Sequence, residues 1–200
     1  MGAPSVRSRR TSRRSCGDSV ARGADAPEVL PDILRPGLRV VLCGTAPGLV
    51  SAARGHYYAG PGNQFWPLLW EAGLVTERLS HEDDARVGEW GIGLTDLVKT
   101  LAQSHDRGLP YDVPGLVAKV EEHRPAWVAF TSKEAGAAAS RWAGRPRPGL
   151  GVQDWLLGGA RVFVLPSPSG RNQGRASYDG RATRLEWWSE LGSLVRDGVS

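Results

Sequence analysis

The segment from Leu38 to Trp66, LRVVLCGTAPGLVSAARGHYYAGPGNQFW, constrains the fold more than any other stretch. It opens on Val40-Val41-Leu42-Cys43, an apolar and β-branched run with no polar alternation, followed at once by glycine. A strand apolar at every position is buried on both faces, as central strands of helix-covered parallel sheets are. The run ends in Gly44-Thr45-Ala46-Pro47-Gly48, where the glycines permit close backbone approach and Pro47 stiffens the loop. In open α/β sheets, ligands bind beyond the carboxyl ends of the strands, which is where this loop lies. Its amides suit an anionic group. Such a turn alone fits many functions, a phosphate loop for a small nucleotide among them. No Lys-Ser/Thr pair follows the glycines, however, so the P-loop pattern fails.

Next comes an aromatic patch, His56-Tyr57-Tyr58, ahead of Gly60-Pro61-Gly62. Asn63 stands where a helix N-cap belongs, before a stripe of Phe65, Leu68, Leu69 and Ala72 at helical spacing. A tight loop and an aromatic loop are thus held between one strand and one helix, a slot suited to a flat ring. Further on, a polar helical stretch is expected over Glu77–Trp90, then a short apolar segment from Gly91 to Val98. Asp112 reads as the cap of a helix to His123, with Val113, Leu116, Val117 and Val120 on one face. A strand at Trp127–Thr131 leads to Ser132, the cap of a helix over Lys133–Trp142. Gly158-Gly159 between two apolar runs signals a hairpin, and a last helix is expected from about Gly180 to Arg196. Strands alternate with helices and no repeat is visible. The expectation is an α/β single domain, three-layer, with a mainly parallel central sheet flanked by helices.

Two hundred residues suit one such domain plus a tail. Residues 1–31 are rich in Arg, Ser, Gly and Ala without apolar periodicity and are expected to be disordered, leaving a domain over 32–200. Five arginines and no acids fall in residues 1–14, so the rest of the chain carries −1 of the net +4. The body is near neutral, and affinity for nucleic acid must come from local patches, with the arginines available for non-specific phosphate contact. No apolar run reaches 18 residues, so no membrane span is expected. Cys16 and Cys43 have no metal spacing and read as free thiols of a reducing cytoplasm. His81, His105 and His123 are scattered, so neither metal nor cofactor is expected.

The motifs together resemble those of the mismatch-specific uracil-DNA glycosylases, the family that includes thymine-DNA glycosylase. The residues that carry the resemblance are Gly44-Thr45-Ala46-Pro47-Gly48-Leu49, Tyr57-Tyr58, Gly60-Pro61-Gly62-Asn63-Gln64-Phe65-Trp66 and Pro166-Ser167-Pro168-Ser169-Gly170-Arg171. It runs from about Asp32 to about Arg196. It implies the fold above, double-stranded DNA with G·U or related mispairs as partner, a monomer, and removal of uracil, with thymine or other altered pyrimidines as further substrates. No catalytic lysine is evident, so an abasic site without strand cleavage is the expected product.

The resemblance also distributes roles. Tyr58 falls on the aromatic position that stacks on a flipped pyrimidine, against the plain alternative of a core tyrosine, and such stacking is worth about 1–3 kcal/mol. Main-chain groups of Thr45 and Tyr58 are implied to read the pyrimidine edge, and Gly44 to Gly48 to stabilise the departing anion. Pro47, Ser51 and Asn63 are expected along the pocket, and His56 either there or as a structural residue. Arg171 falls on the position that fills the gap left by the everted nucleotide. Ser167, Ser169, Gly170, Asn172, Gln173 and Arg175 are suited to DNA backbone contacts. One departure matters: the family's water-orienting asparagine is Ala46 here, and a methyl group neither donates nor accepts. Either activity is lost, leaving a lesion-binding protein, or it runs slowly on amides, or another side chain takes over. Asp96 is the candidate replacement, the alternative being a helix N-cap before Leu97.

Overall fold

The computed structural model describes residues 27–103, 105, 108–170 and 178–198. Five strands form one sheet in the order β2-β1-β3-β5-β4: β1 Val40–Gly44, β2 Ile92–Asp96, β3 Trp127–Phe130, β4 Gly151–Leu157 and β5 Ala160–Val164. β1 runs parallel to β2 and β3, and β3 parallel to β5. Only the edge strand β4 is antiparallel, joined to β5 through the expected Gly158-Gly159 turn. β1, β2 and β3 are buried at every position, as the apolar runs require.

Helices α1 Leu49–Arg54, α2 Phe65–Glu71, α3 Val113–His123, α4 Lys133–Trp142 and α5 Arg184–Asp197 follow in chain order. α2 packs on α5 and α3 on α4, and these pairs flank the sheet. Asp112 caps α3 by accepting from Gly115 N at 2.9 Å, and Ser132 caps α4 by accepting from Ala135 N at 3.1 Å. Between sheet and helices lie Trp127, Trp188, Phe65, Phe130 and Phe163, all fully buried. Burial of each such side chain contributes about 1.5–3 kcal/mol.

Four details differ from the sequence reading. The sequence signals no helix over α1, because six residues are too few to display a period. The polar stretch at Glu77–Trp90 is a 3₁₀ helix over His81–Trp90, capped by Ser80. Its inward residues Asp84, Val87 and half-buried Trp90 recur every third position, the 3₁₀ period. α5 starts at Arg184, where Glu186 accepts from Thr183 N at 3.0 Å, rather than near Gly180. Finally, Leu30 is buried in the core and Val29 N donates to Lys99 O at 2.7 Å, so the end of the stretch assigned to the tail belongs to the domain. Residues 1–26 of that stretch lie outside the described residues.

Candidate active site

The carboxyl ends of β1, β2 and β3 open on a cleft of about 360 Å³. Parallel register brings the last residues of two strands, Gly44 and Asp96, side by side. Glycine at 44 is what leaves room for this carboxylate, because a Cβ there would stand 2.2 Å from Asp96 Oδ1 and 3.4 Å from Tyr58 Oη. Strand alternation sends neighbouring side chains apart. Thr95 donates to Asp32 Oδ1 at 2.7 Å, whereas Asp96 faces the cleft.

Asp96 is buried, and no group among the described residues donates to its Oδ2. No helix follows it: the chain bends at Leu97 and the next helix begins at Val113, so the capping role is excluded. Burial pushes its carboxyl up to about 7; Lys99 pulls it down, Asp32 raises it and Lys119 lowers it. A buried carboxylate with raised proton affinity and no protein donor to Oδ2, set in a cleft, is an arrangement found where a proton must be moved. The same burial, with the Asp96 charge second, raises the Cys43 thiol well above its ordinary range.

Tyr58 forms the wall opposite. Its ring lies flat on Phe65, with centroids 3.7 Å apart and planes 9° from parallel, and its Oη is 3.1 Å from Thr131 Oγ1. One ring face is therefore already occupied by Phe65. Burial, then the Asp96 charge, pushes the Tyr58 phenol well above its usual range. Its φ of +54° is unusual for a bulky residue and costs about 1–2 kcal/mol. The surrounding loop is held from several sides. Ser51 Oγ accepts from Ala59 N at 3.0 Å, Asp84 Oδ2 from Tyr57 N at 2.9 Å, and Tyr57 O from Trp66 Nε1 at 3.2 Å.

Thr45, Ala46, Pro47, Ser51 and Asn63 line the cleft together with Gly44, Tyr58 and Asp96. Asn63 is not the N-cap of α2, a position taken by Gln64; its Oδ1 nonetheless accepts from Phe65 N at 2.9 Å. His56 does not line the cleft. It lies 3.3 Å from Asp84 Oδ2 with His81 edge-on at 5.8 Å, and the αL turn at Gly55 directs it there. Ser167, Ser169 and Gly170 close the far side. Gln64 N donates to Pro168 O at 2.8 Å, and Arg184 Nη1 donates to Ser167 O at 3.1 Å and Ser169 O at 3.2 Å. A Cβ on Gly170 would stand 2.8 Å from Gly62 O, so glycine is what lets the two loops touch. Arg171, Asn172, Gln173 and Arg175 lie outside the described residues.

Sequence reasoning missed Thr131 and Ser132 as cleft residues and Arg184 as the anchor of the late loop. The first two stand at the carboxyl end of β3, a position that itself points to a ligand; Arg184 left no local signal. His105, read as a scattered surface residue, is exposed but reaches the cleft. Among the described residues, no group of three or more His, Cys, Asp or Glu could hold a metal ion.

The family model described as the uracil DNA glycosylase superfamily matches residues 31–192. Among solved structures, the chain is similar to a solution NMR structure of a candidate uracil DNA glycosylase from Methanosarcina acetivorans. The match has a TM-score of 0.57 at 19% identity, over 86% of this chain and 98% of that one. A likeness at that identity carries the fold; the match over most of the chain carries the family. With a mainly parallel five-stranded sheet whose glycine- and serine-rich loops meet over one cleft, the chain belongs to the uracil DNA glycosylase superfamily.

Proposed function

We propose that the protein is a monofunctional DNA glycosylase that everts uracil from a mismatched duplex and hydrolyses its N-glycosidic bond, leaving an abasic site. The observation that carries the reading is Asp96: a buried carboxylate without a protein donor to Oδ2, set beside Gly44 at the cleft floor. Thymine and other altered pyrimidines are further candidate substrates, and the protein acts as a monomer in the cytoplasm.

Each chemical demand has a structural counterpart. Extruding a nucleotide exposes a flat ring, and the cleft wall offers Tyr58, stiffened from behind by Phe65. Breaking the bond leaves negative charge on the base, and the N–H groups of the 44–48 loop are the candidate donors that stabilise it. The water that adds to the sugar carbon must lose a proton, and Asp96 is the group that accepts it. A carboxylate whose proton affinity is raised toward neutrality is a better base than an ordinary one. Ala46 is at the cleft but has no polar side-chain atom, so the water-orienting duty passes to Asp96. Ser167, Ser169 and Gly170 stand ready for the DNA backbone.

The test is single-turnover release of uracil from a G·U duplex. The wild-type chain excises, and Asp96→Ala lowers the rate at least about 100-fold. Near-normal excision by that variant overturns the assignment of Asp96. The methyl group of Ala46 favours one competing reading, a mismatch-binding protein without catalysis. Tight G·U binding with no release by the wild-type chain is the result that selects it.

A further inference from the structure

Behind Asp96 lies a charged cluster that no step above uses. Asp32 sits on a segment bridged to the outer edge of β2, where Ile33 N donates to Leu94 O at 3.0 Å and Leu94 N to Ile33 O at 2.9 Å. Its carboxylate receives Thr95 Oγ1 at 2.7 Å, Lys99 Nζ at 2.6 Å and Lys119 Nζ at 2.5 Å. Lys99 Nζ also donates to Tyr57 Oη at 2.9 Å, and Tyr57 lines the cleft. The Lys99 side chain is only 11% exposed, and its main-chain oxygen is bound by Val29 N. Such a lysine is built in: both its ammonium and its backbone are fixed. Two lysines against one aspartate leave a surplus positive charge behind β2. Glu28, 3.9 Å from Lys99 and nearly half exposed, offsets little of it because solvent screens it.

We infer that Lys99 is a positioning residue: clamped between Asp32 and Tyr57, it holds a cation behind β2 that keeps the Asp96 carboxylate available as a base. The inference rests on the assignment of Asp96 in the proposed function. Its physics is simple. Burial disfavours the charged carboxylate, and no donor among the described residues binds Oδ2, so the attraction available to the charged form acts through space. Lys99 is the largest such attraction; Lys119 from α3 acts in the same direction and Asp32 in the opposite one. Among the described residues, three further groups near Asp96 carry no charge near pH 7. Cys43 of β1 and the phenols of Tyr57 and Tyr58 are all held protonated by burial. His105 on the cleft rim is a further ionisable side chain facing the cleft.

This arrangement makes a prediction that a merely structural lysine does not. Removing Lys99 must move the acid limb of the excision profile up in pH, whereas removing the charge of Asp32 must move it down. Uracil excision from a G·U duplex is followed in single turnover from pH 5 to 9. Lys99→Met raises the limb by about one pH unit or more, Lys99→Arg restores it, and Asp32→Asn lowers it. His105→Gln leaves the limb in place. A uniform loss of rate in Lys99→Met with the limb unmoved overturns the inference, as does a shift of the same sign in Lys99→Met and Asp32→Asn. If Lys99→Met fails to fold, Lys119→Met reads the same sign with a smaller shift, and an unmoved limb there is equally fatal. Carbon-13 NMR titration of the Asp96 carboxyl reads these shifts without substrate. The cluster can therefore be judged even where excision is absent, and retention of excision by Asp96→Ala sinks the base rather than the cluster.

Discussion

At the scale of single residues, Asp96 is a stability cost as well as a candidate base. Its folded carboxyl titrates at about 7 against an ordinary 3.8, so between these values the folded state takes up a proton the unfolded chain does not hold. The resulting stabilisation is present in full below about pH 4 and is lost as pH rises through 7. Asp96→Asn, which carries no charge, is therefore expected to raise stability by on the order of 4 kcal/mol at pH 8, with the gain fading toward pH 4. Urea melts of both chains across that range check it; a gain that is constant with pH contradicts the burial argument. Gly44→Ala is the complementary change. Its Cβ would meet Asp96 Oδ1 at 2.2 Å, so the carboxylate must swing aside. Excision is expected to fall at least about tenfold, because a small misplacement of a reacting group is costly. Single-turnover kinetics checks this, with the melting temperature as control for folding.

At the scale of elements, three loops make the cleft, and two of them, the aromatic loop and the late loop, are held by helices. The aromatic loop is tied to α1 through Ser51, to α2 through Trp66 and to the 3₁₀ helix through Asp84. His56, paired with Asp84, belongs to that scaffold and not to the pocket. The late loop hangs from the first turn of α5, where Arg184 spans the carbonyls of Ser167 and Ser169, and Trp188 Nε1 reaches Pro166 O at 3.4 Å. Arg184→Ala removes two charge-assisted hydrogen bonds from a surface loop. The expected result is a stability loss of about 1–3 kcal/mol together with a weaker half-saturation for duplex. The maximal single-turnover rate should change far less. A drop confined to the maximal rate would place Arg184 in the chemistry instead of the loop.

At the scale of the whole molecule, the two ends of the sheet divide the labour. The carboxyl ends of β1, β2 and β3 carry the cleft, and the amino ends carry packing. Trp127 opens β3, is buried, meets Phe163 edge-on at 6.4 Å and has the Arg161 guanidinium 4.0 Å from its ring centre. Trp127→Ala is expected to cost about 3–5 kcal/mol and to leave the excision rate of the folded protein within a few-fold of wild type. Thermal melts and kinetics well below the melting temperature separate the two effects.

The features legible in the chain are local. Apolar runs without alternation marked β1, Asp112 and Ser132 marked helix starts, and Gly158-Gly159 marked the hairpin; each signal lies within a few residues of what it specifies. The order of glycine, aromatic and serine motifs marked the loops of the cleft for the same reason. The features that emerge on folding depend on residues far apart in the chain. Asp96 meets Gly44 through parallel register, and nothing around position 96 announces whether its carboxylate caps a helix or stands alone. Asp32 joins Lys99 and Lys119 across three elements, and His56 turns away from a pocket its neighbour Tyr58 enters. Charge and burial act through space, so the proton affinity of Asp96 is set by packing that no stretch of sequence encodes alone.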